Sequence, residues 1–250
     1  MPTTSLAARI DLATAFRWGA RMGMNEGVNG GHLSYAPPGH DDSFLAIPNG
    51  VHWAEATPGN LILVDHRGNT LEGRGTIERS NLHIHAALHR ARPDARCVLH
   101  AHMPFSTALS IIKGGRLEPI GQQSLRFYGR VAYYDEFNAL AHSDTEGDRM
   151  AEAIGDKAVL FLQSHGVIVT GPTVGEAFDD LYYLERACMN QVHAMSSGAE
   201  LHRIPDEMAA LAVRQYMGQR ENSELHFESL KRMLAAEDPR FRAGLAEAAE

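Results

Sequence analysis

The chain has 250 residues, of which 44% are hydrophobic and 22% are charged, so it is long enough to bury a sizeable core. Its net charge of −8 argues against nucleic acid or an anionic membrane surface as a partner. No apolar run approaches the roughly 20 residues that span a bilayer, and the N-terminus lacks the features of a signal peptide. We therefore expect a cytoplasmic protein that binds no membrane, with Cys97 and Cys188 reduced and buried.

Hydrophobic periodicity in the first part of the chain predicts one helix followed by three short strands. The helix is expected from about Ser5 to Gly23, where apolar residues recur on one face. A glycine-containing loop at residues 25–31 follows, and it allows the backbone to approach a ligand closely. The strands are expected at residues 32–36, 43–47 and 61–64, and turn-forming residues follow each of them.

Helices and strands alternate in the rest of the chain. The helices are expected at residues 80–90, 104–112, 143–154 and 174–196, and capping boxes at Ser143 and Thr173 open the last two. The strands are expected around residues 98–102, 131–134 and 159–166, with His165 near the end of the last one. Residues 116–129 are predicted to be irregular, and the tail from Pro205 onward is predicted to be helical. This alternation is typical of an α/β domain.

Two histidines lie two residues apart in the strand predicted at 98–102, and a third follows the apolar run that begins at Val159. In a strand, side chains i and i+2 point to the same face, about 6–7 Å apart. His100 and His102 can therefore converge on one metal ion, with His165 as the third ligand. Three protein ligands leave one coordination position open, which is typical of catalytic rather than structural zinc.

A second histidine pair, His85 and His89, is spaced i, i+4 on the helix predicted at residues 80–90. Such a pair can bind a metal ion, but the sequence offers no third ligand near it. We therefore rank this pair below the first histidine set as a metal site.

Several motifs occur in the order typical of the class II aldolase/adducin family, and the chain resembles that family over about residues 5–200. The motifs are Asn29-Gly30-Gly31-His32-Leu33-Ser34, Ile47-Pro48-Asn49-Gly50, Arg92-Pro93-Asp94-Ala95, Cys97 to His102, Ser164-His165-Gly166 and Glu176-Ala177-Phe178. The resemblance implies a single three-layer α/β domain over residues 1–200, with a central, mainly antiparallel sheet flanked by helices. Residues 201–250 are then expected to form a helical C-terminal extension.

The resemblance also implies a metal and an assembly. The family's metal ligands correspond to His100, His102 and His165. The expected cofactor is a divalent metal, with zinc first and manganese, cobalt or iron as alternatives. The expected assembly is a homotetramer that acts on a small-molecule substrate.

Three positions depart from the family's sugar-phosphate aldolases. Their catalytic glutamate is replaced by Asn81, their Ser-Ser pair reads Arg79-Ser80, and their tyrosine proton donor is replaced by Gln123. An asparagine transfers no protons, so Glu78 and His32 are the candidates to replace the glutamate, with Asn81 at its position. The residues expected to bind substrate are Asn29, Gly31, Asn49, Gly50, Ser80 and Gln123.

These residues lead to two hypotheses from different classes of protein. The first is a metal-dependent carbon–carbon lyase, either an aldolase or a decarboxylase, that acts on a small hydroxy-carbonyl or hydroxy-carboxylate through a metal-stabilised enolate. The alternative is a non-catalytic, adducin-like scaffold or interaction domain. Oxygen chemistry with iron ranks last, because no carboxylate completes a two-histidine, one-carboxylate site.

Overall fold

The computed structural model describes residues 4–138 and 143–241, and in these ranges eight strands form one sheet. The strands are β1 (His32–Tyr35), β2 (Ser43–Ala46), β3 (Ile62–Asp65), β4 (Thr70–Glu72), β5 (Cys97–Ala101), β6 (Val131–Tyr134), β7 (Val159–Leu162) and β8 (Gly166–Gly171). Their order in the sheet is β4-β3-β2-β1-β5-β8-β7-β6. Every neighbouring pair is antiparallel except β6 and β7, which confirms the prediction of a mainly antiparallel sheet.

Eight α-helices and one short 3-10 turn, Trp53–Glu55, accompany the sheet in the described ranges. The helices are α1 (Leu6–Arg21), α2 (Arg79–Ala91), α3 (Pro104–Ile111), α4 (Gln122–Leu125), α5 (Asp144–Ile154), α6 (Val174–Ser196), α7 (Asp206–Met217) and α8 (Glu221–Glu237). The predicted capping residues begin their helices. The Ser143 side chain accepts a hydrogen bond from the backbone N–H of Glu146, and the Thr173 side chain accepts one from Glu176.

The helices cover both faces of the sheet and make three layers. One face packs against α1, α6 and α8, with Phe16, Leu181 and Phe227 fully or almost fully buried. The other face packs against α2 and α5. Side chains alternate along β5, so Val98 belongs to the α2 side and Leu99 to the α1 side. His100 lies on the same side of β5 as Val98, towards α2.

Two strands and one α-helix were missed by the sequence predictions. β8 is a continuous buried run between two glycines, so it has none of the alternation that reveals a half-buried strand. β4 is a three-residue, largely exposed edge strand, and α4 is a four-residue helix inside the region predicted to be irregular. Both are too short for a periodic pattern of apolar residues to be recognised.

The chain beyond residue 200 forms α7 and α8 against the body of the protein. α8 contributes Phe227, Leu230 and Leu234 to the core that also contains α1. Among the described residues of α7, only Ala209 is buried. The helical character predicted for this tail is confirmed as far as residue 241, and residues 242–250 lie outside the described ranges. The division at residue 200 stays a prediction. No helix in the described ranges is long and apolar enough to span a membrane.

Candidate metal centre

The three predicted ligand histidines come together where two neighbouring strands meet. His100 lies in β5, His102 follows its end, and His165 lies in the turn that joins β7 to β8. Because β8 pairs with β5, that turn is placed beside the end of β5. The candidate ligand atoms of the three rings all lie within 4.8 Å of one another, and the Nε2 atoms of His100 and His102 are 3.0 Å apart.

Hydrogen-bond partners determine which nitrogen of each ring faces the centre. Nδ1 of His100 is 3.0 Å from the carbonyl oxygen of Val167, which can only accept, so this Nδ1 carries the proton and donates. Nδ1 of His102 donates in the same way to a carboxylate oxygen of Glu26, at 3.1 Å. In a neutral imidazole the other nitrogen, Nε2, then has no proton and offers a lone pair.

Two lone pairs therefore face each other across the 3.0 Å between the Nε2 atoms. This arrangement is repulsive unless a cation lies between the nitrogens. A tetrahedral zinc ion with bonds of about 2.0–2.1 Å would hold two nitrogens about 3.3 Å apart. Metal-bound histidines usually donate their second nitrogen to a carbonyl or carboxylate, as both rings do here. The donor set fits a divalent metal ion.

Burial keeps His100 and His165 neutral near pH 7. Desolvation lowers the pKa of His100 well below its usual value, and the nearby His32, His165 and His102 lower it further. Desolvation, with His102 beside it, lowers the pKa of His165 to about 4. Neutral imidazole is the form that binds metal, so these rings need lose no proton to take an ion.

Backbone conformation brings His165 close to the other two rings. Ser164 has a φ of 56°, and it is the one non-glycine residue with positive φ in the described ranges. A Cβ added at Gly166 would lie 2.5 Å from the Ala101 carbonyl oxygen and 3.0 Å from Cδ2 of His102. Only glycine at position 166 lets the turn approach His102 this closely.

A small cleft lies beside His100. His32 forms part of its wall, with a ring centroid 4.8 Å from that of His100. The other lining residues come from the glycine-containing loop, the turn after β2 and the start of α2: Val28, Asn29, Gly31, Ile47, Pro48, Asn49, Glu78 and Asn81. The structure thus gathers in one cleft all three candidate catalytic residues and three of the six residues expected to bind substrate.

The remaining three expected substrate contacts do not line this cleft. Gly50 is adjacent to Asn49, and the hydroxyl of Ser80 donates to Glu78 instead. Gln123 lies in α4, where its amide oxygen is 3.4 Å from Asn190 of α6. Within one chain, the position of the family's tyrosine donor is therefore separate from the cleft.

Asn81 and Glu78 have different polar environments in the cleft. Asn81 is 2% exposed, and its side-chain oxygen is buried with no hydrogen-bond partner. The carboxylate of Glu78 caps α2 and accepts from the backbone N–H of Asn81 at 3.0 Å. Burial alone would raise the pKa of Glu78, but hydrogen bonds from Ser80 and from backbone N–H groups outweigh it, and this pKa is lowered. Glu78 is thus an ionised helix cap, while Asn81 offers a free acceptor.

Two features near the site were not predicted from the sequence. Glu26 orients His102, but it lies in a loop whose sequence carries no metal-binding pattern. Ser34, His85 and His89 form a buried hydrogen-bonded group next to His32. The i, i+4 spacing of the two histidines was visible in the sequence, and their proximity to β1 was not.

Comparison with known proteins connects this geometry to a family. The family model for the class II aldolase and adducin N-terminal domain matches residues 10–192. The decarboxylase NovR of Streptomyces niveus is 32% identical over 226 residues, which cover 88% of this chain and 83% of NovR. Human beta-adducin is 34% identical over 211 residues, which cover 77% of this chain but 28% of the adducin.

Solved structures share the same architecture. An aldolase II superfamily protein from Pseudomonas syringae superposes with a TM-score of 0.88 at 33% identity and covers 97% of each chain. L-fuculose 1-phosphate aldolase from Glaciozyma antarctica superposes with a TM-score of 0.82 at 25% identity, over 94% of this chain and 96% of the aldolase. The agreement extends through the helices beyond residue 200.

Proposed function

The chain belongs to the class II aldolase and adducin family, and we propose that it is a metal-dependent carbon–carbon lyase. The observation that carries the proposal is the pair of unprotonated Nε2 atoms of His100 and His102, 3.0 Å apart, with His165 beside them. The donors of His100 and His102 are committed to Val167 and Glu26, so holding their two lone pairs together without a cation is costly. Zinc is the proposed metal, since it suits an imidazole set.

In the proposed reaction, the metal and the residues of the cleft have separate roles. A divalent metal supplies electrophilic stabilisation of negative charge on a substrate oxygen. Asn81 uses its unpartnered side-chain oxygen to accept a hydrogen bond from a substrate hydroxyl. The imidazole of His32 is the group in the cleft that can move a proton, because Glu78 is held as a helix cap.

Within this lyase class we propose decarboxylation of a small hydroxy-carboxylate. Aldol cleavage needs a base to remove a hydroxyl proton, and the amide of Asn81 cannot serve as one. Loss of carbon dioxide needs no such base: when the bond to the carboxylate breaks, its electron pair moves onto a carbonyl beta to the carboxylate to form an enolate. A proton, which His32 can supply, then takes the place of the carboxylate on carbon. The relative NovR is described as a decarboxylase, whereas the neighbour from Glaciozyma antarctica is described as an aldolase.

A non-catalytic scaffold is the second candidate, and the identity with human beta-adducin favours it. The inward-facing Nε2 pair, which belongs to the buried His100 and the half-buried His102, argues for the lyase, because a scaffold gains nothing from an unpaired polar cluster. Metal content alone does not distinguish an enzyme from a scaffold that has kept its ion, so turnover is the deciding measurement.

We also propose that the protein is a cytoplasmic homotetramer, with residues 201–250 as an extension of the domain at residues 1–200. Exposed apolar side chains on the tail helices support an assembly, since contiguous exposed apolar patches mark interaction surfaces. They include Met208, Leu211 and Leu225, which are 51%, 40% and 65% exposed. The mass in solution, measured by light scattering, tests the tetramer.

Turnover tests the proposed activity directly. The zinc-loaded protein is incubated with a panel of small hydroxy-carboxylates and hydroxy-carbonyls, and carbon dioxide and aldehyde release are measured. We expect release of carbon dioxide that is lost in H32Q and retained in the control H202Q, because His202 is exposed and lies outside the cleft. Aldehyde release alone would contradict decarboxylation, and no turnover across the panel would favour the scaffold.

A further inference from the structure

A chain of hydrogen bonds leads from His32 away from the candidate metal centre into the layer between the sheet and α2. Nδ1 of His32 is 2.7 Å from Nε2 of His85. The other nitrogen of His85, Nδ1, is hydrogen bonded to the hydroxyl of Ser34. The same hydroxyl is 2.7 Å from Nε2 of His89. Three imidazoles and one hydroxyl thus form a continuous path.

Two secondary-structure periods produce this alignment. His32 and Ser34 are two residues apart in β1, so their side chains lie on the same face of the sheet. His85 and His89 are four residues apart in α2, so they lie on one face of the helix. The Phe44 ring packs against both imidazoles of α2, with centroids 6.2 Å from His85 and 5.0 Å from His89.

The side chains of this hydrogen-bonded path are buried away from water and are uncharged near pH 7. His32, Ser34, His85 and His89 are 5%, 0%, 0% and 5% exposed. Desolvation lowers the pKa of His85 well below its usual value and that of His89 to about 3. A neutral imidazole has one N–H donor and one lone pair, on opposite sides of the ring.

The single proton of the Ser34 hydroxyl determines the direction of every bond in the chain. If Ser34 donates to His85 Nδ1, then His85 must carry its proton on Nε2 and donate it to His32 Nδ1. If Ser34 donates to His89 instead, His85 donates to Ser34 from Nδ1 and accepts at Nε2 from His32. If both rings donated to the two lone pairs of the Ser34 oxygen, the hydroxyl proton would be left without an acceptor in a dry core, which is costly. The remaining combinations place two protons or two lone pairs against each other.

The direction of the hydrogen bonds determines which group His32 presents on its second ring nitrogen. In the first arrangement all three imidazoles are protonated on Nε2, and His32 presents an N–H donor on its remaining nitrogen. In the second arrangement all three are protonated on Nδ1, and His32 presents a lone pair. If no hydrogen bond fixed its tautomer, His32 would populate both forms. Only one of the two forms suits a given role in catalysis, as proton donor or as proton acceptor.

We propose that Ser34, His85 and His89 are positioning residues that hold His32 in a single tautomer, shared by all three imidazoles of the chain. They touch no substrate and act through the ring that lines the cleft. The kinetic part of this inference rests on the proposed lyase function. The tautomer itself is a property of the resting protein and can be measured without turnover.

The first test is nitrogen-15 NMR of the histidine rings in the metal-free and the zinc-loaded full-length protein. The His32, His85 and His89 signals are assigned by their loss in H32Q, H85Q and H89Q. We expect the three rings to be neutral and of one tautomer, either all Nε2–H or all Nδ1–H. In S34A, we expect His32 to become a mixture of tautomers, and in S34T to regain a single one. Mixed tautomers in the wild-type chain, or no change in S34A, would overturn the proposal.

The second test is kinetic and uses the substrate found for the lyase. We expect S34A to lower kcat by about tenfold to a hundredfold, with KM and zinc content unchanged, and S34T to restore most of the rate. Melting temperatures of both variants separate a folding defect from a positioning defect. If S34A randomises the His32 tautomer but leaves kcat intact, the positioning role is overturned while the lyase stands. If no lyase activity is found but the tautomers are uniform, the proposed lyase function is contradicted, while the proposal of a single shared tautomer still holds.

Discussion

At the scale of single residues, buried or half-buried histidines have two different chemical roles in this protein. His100 and His102 direct their donors outward, to Val167 and Glu26, and leave lone pairs for an ion. His85 uses both ring nitrogens in the hydrogen-bonded chain, and His89 ends the chain with Nε2 bonded to Ser34. Burial alone therefore does not identify a metal ligand, and the partner of each ring nitrogen does.

The buried, neutral state of His89 predicts how stability depends on pH. The pKa of His89 is lowered from 6.5 to about 3 by desolvation, so below pH 6.5 the unfolded chain binds a proton that the folded chain excludes. Stability is therefore fully present above pH 6.5 and is lost as pH falls towards 3. One such group contributes a slope of about 1.4 kcal/mol per pH unit.

Urea unfolding of the metal-free protein between pH 6 and 4 measures this slope. We expect H89Q to lose stability with falling pH less steeply than the wild type, by about 1.4 kcal/mol per pH unit. H202Q, which removes one exposed imidazole, serves as the control and should keep the wild-type slope. If the free energy of unfolding fell equally steeply with pH in the wild type and in H89Q, His89 would be able to take up a proton in the folded state.

At the scale of elements, a cluster of charged side chains fastens the tail helices to α6. Asp179 and Asp180 of α6 are 3% and 1% exposed. Arg220, just before α8, donates to Asp180 at 2.8 Å and to the Glu176 carboxylate at 2.7 Å. Arg130 donates to Asp180 from the other side, at 2.8 Å. Each buried carboxylate is thus compensated by contacts with several donors.

Replacing Arg220 by methionine keeps much of the side-chain volume and removes the charge. Asp180 then remains buried with fewer cationic partners, and we expect a loss of about 2–3 kcal/mol in the free energy of unfolding. The matched control is R149M, because Arg149 is 52% exposed and pairs with Glu146 at 3.4 Å within one helix. The control should lose less than about 0.5 kcal/mol. Equal losses in chemical denaturation would mean that the Arg220 contacts stabilise no more than a surface pair.

At the scale of the whole molecule, the elements with strong local signals were predicted from the sequence and those defined by long-range contacts were not. α6 begins and ends where expected, because Thr173 caps it and its apolar stripe is long. β8 was missed, since a fully buried strand shows no alternation. His165 was expected to end a strand, and it lies in the turn between β7 and β8.

In the candidate site, too, the residues with a local sequence pattern were predicted, and those placed by long-range contacts were not. His100 and His102 could be paired from spacing in one strand, while His165 was placed by family resemblance and by the end of an apolar run. The contact of Glu26 with His102 and that of Ser34 with His89 join residues 76 and 55 positions apart. Such pairs depend on strand register and helix docking, which no local pattern encodes.

The central claim is that His100, His102 and His165 hold one divalent metal ion that the activity requires. The most direct measurement is elemental analysis of the purified protein after dialysis against zinc, with a chelator-treated sample as the blank. We expect about one zinc per chain in the wild type and in H202A, and loss of at least nine-tenths of it in H100A at unchanged helical circular dichroism. Stoichiometric zinc in H100A, or none in the wild type, would contradict the account.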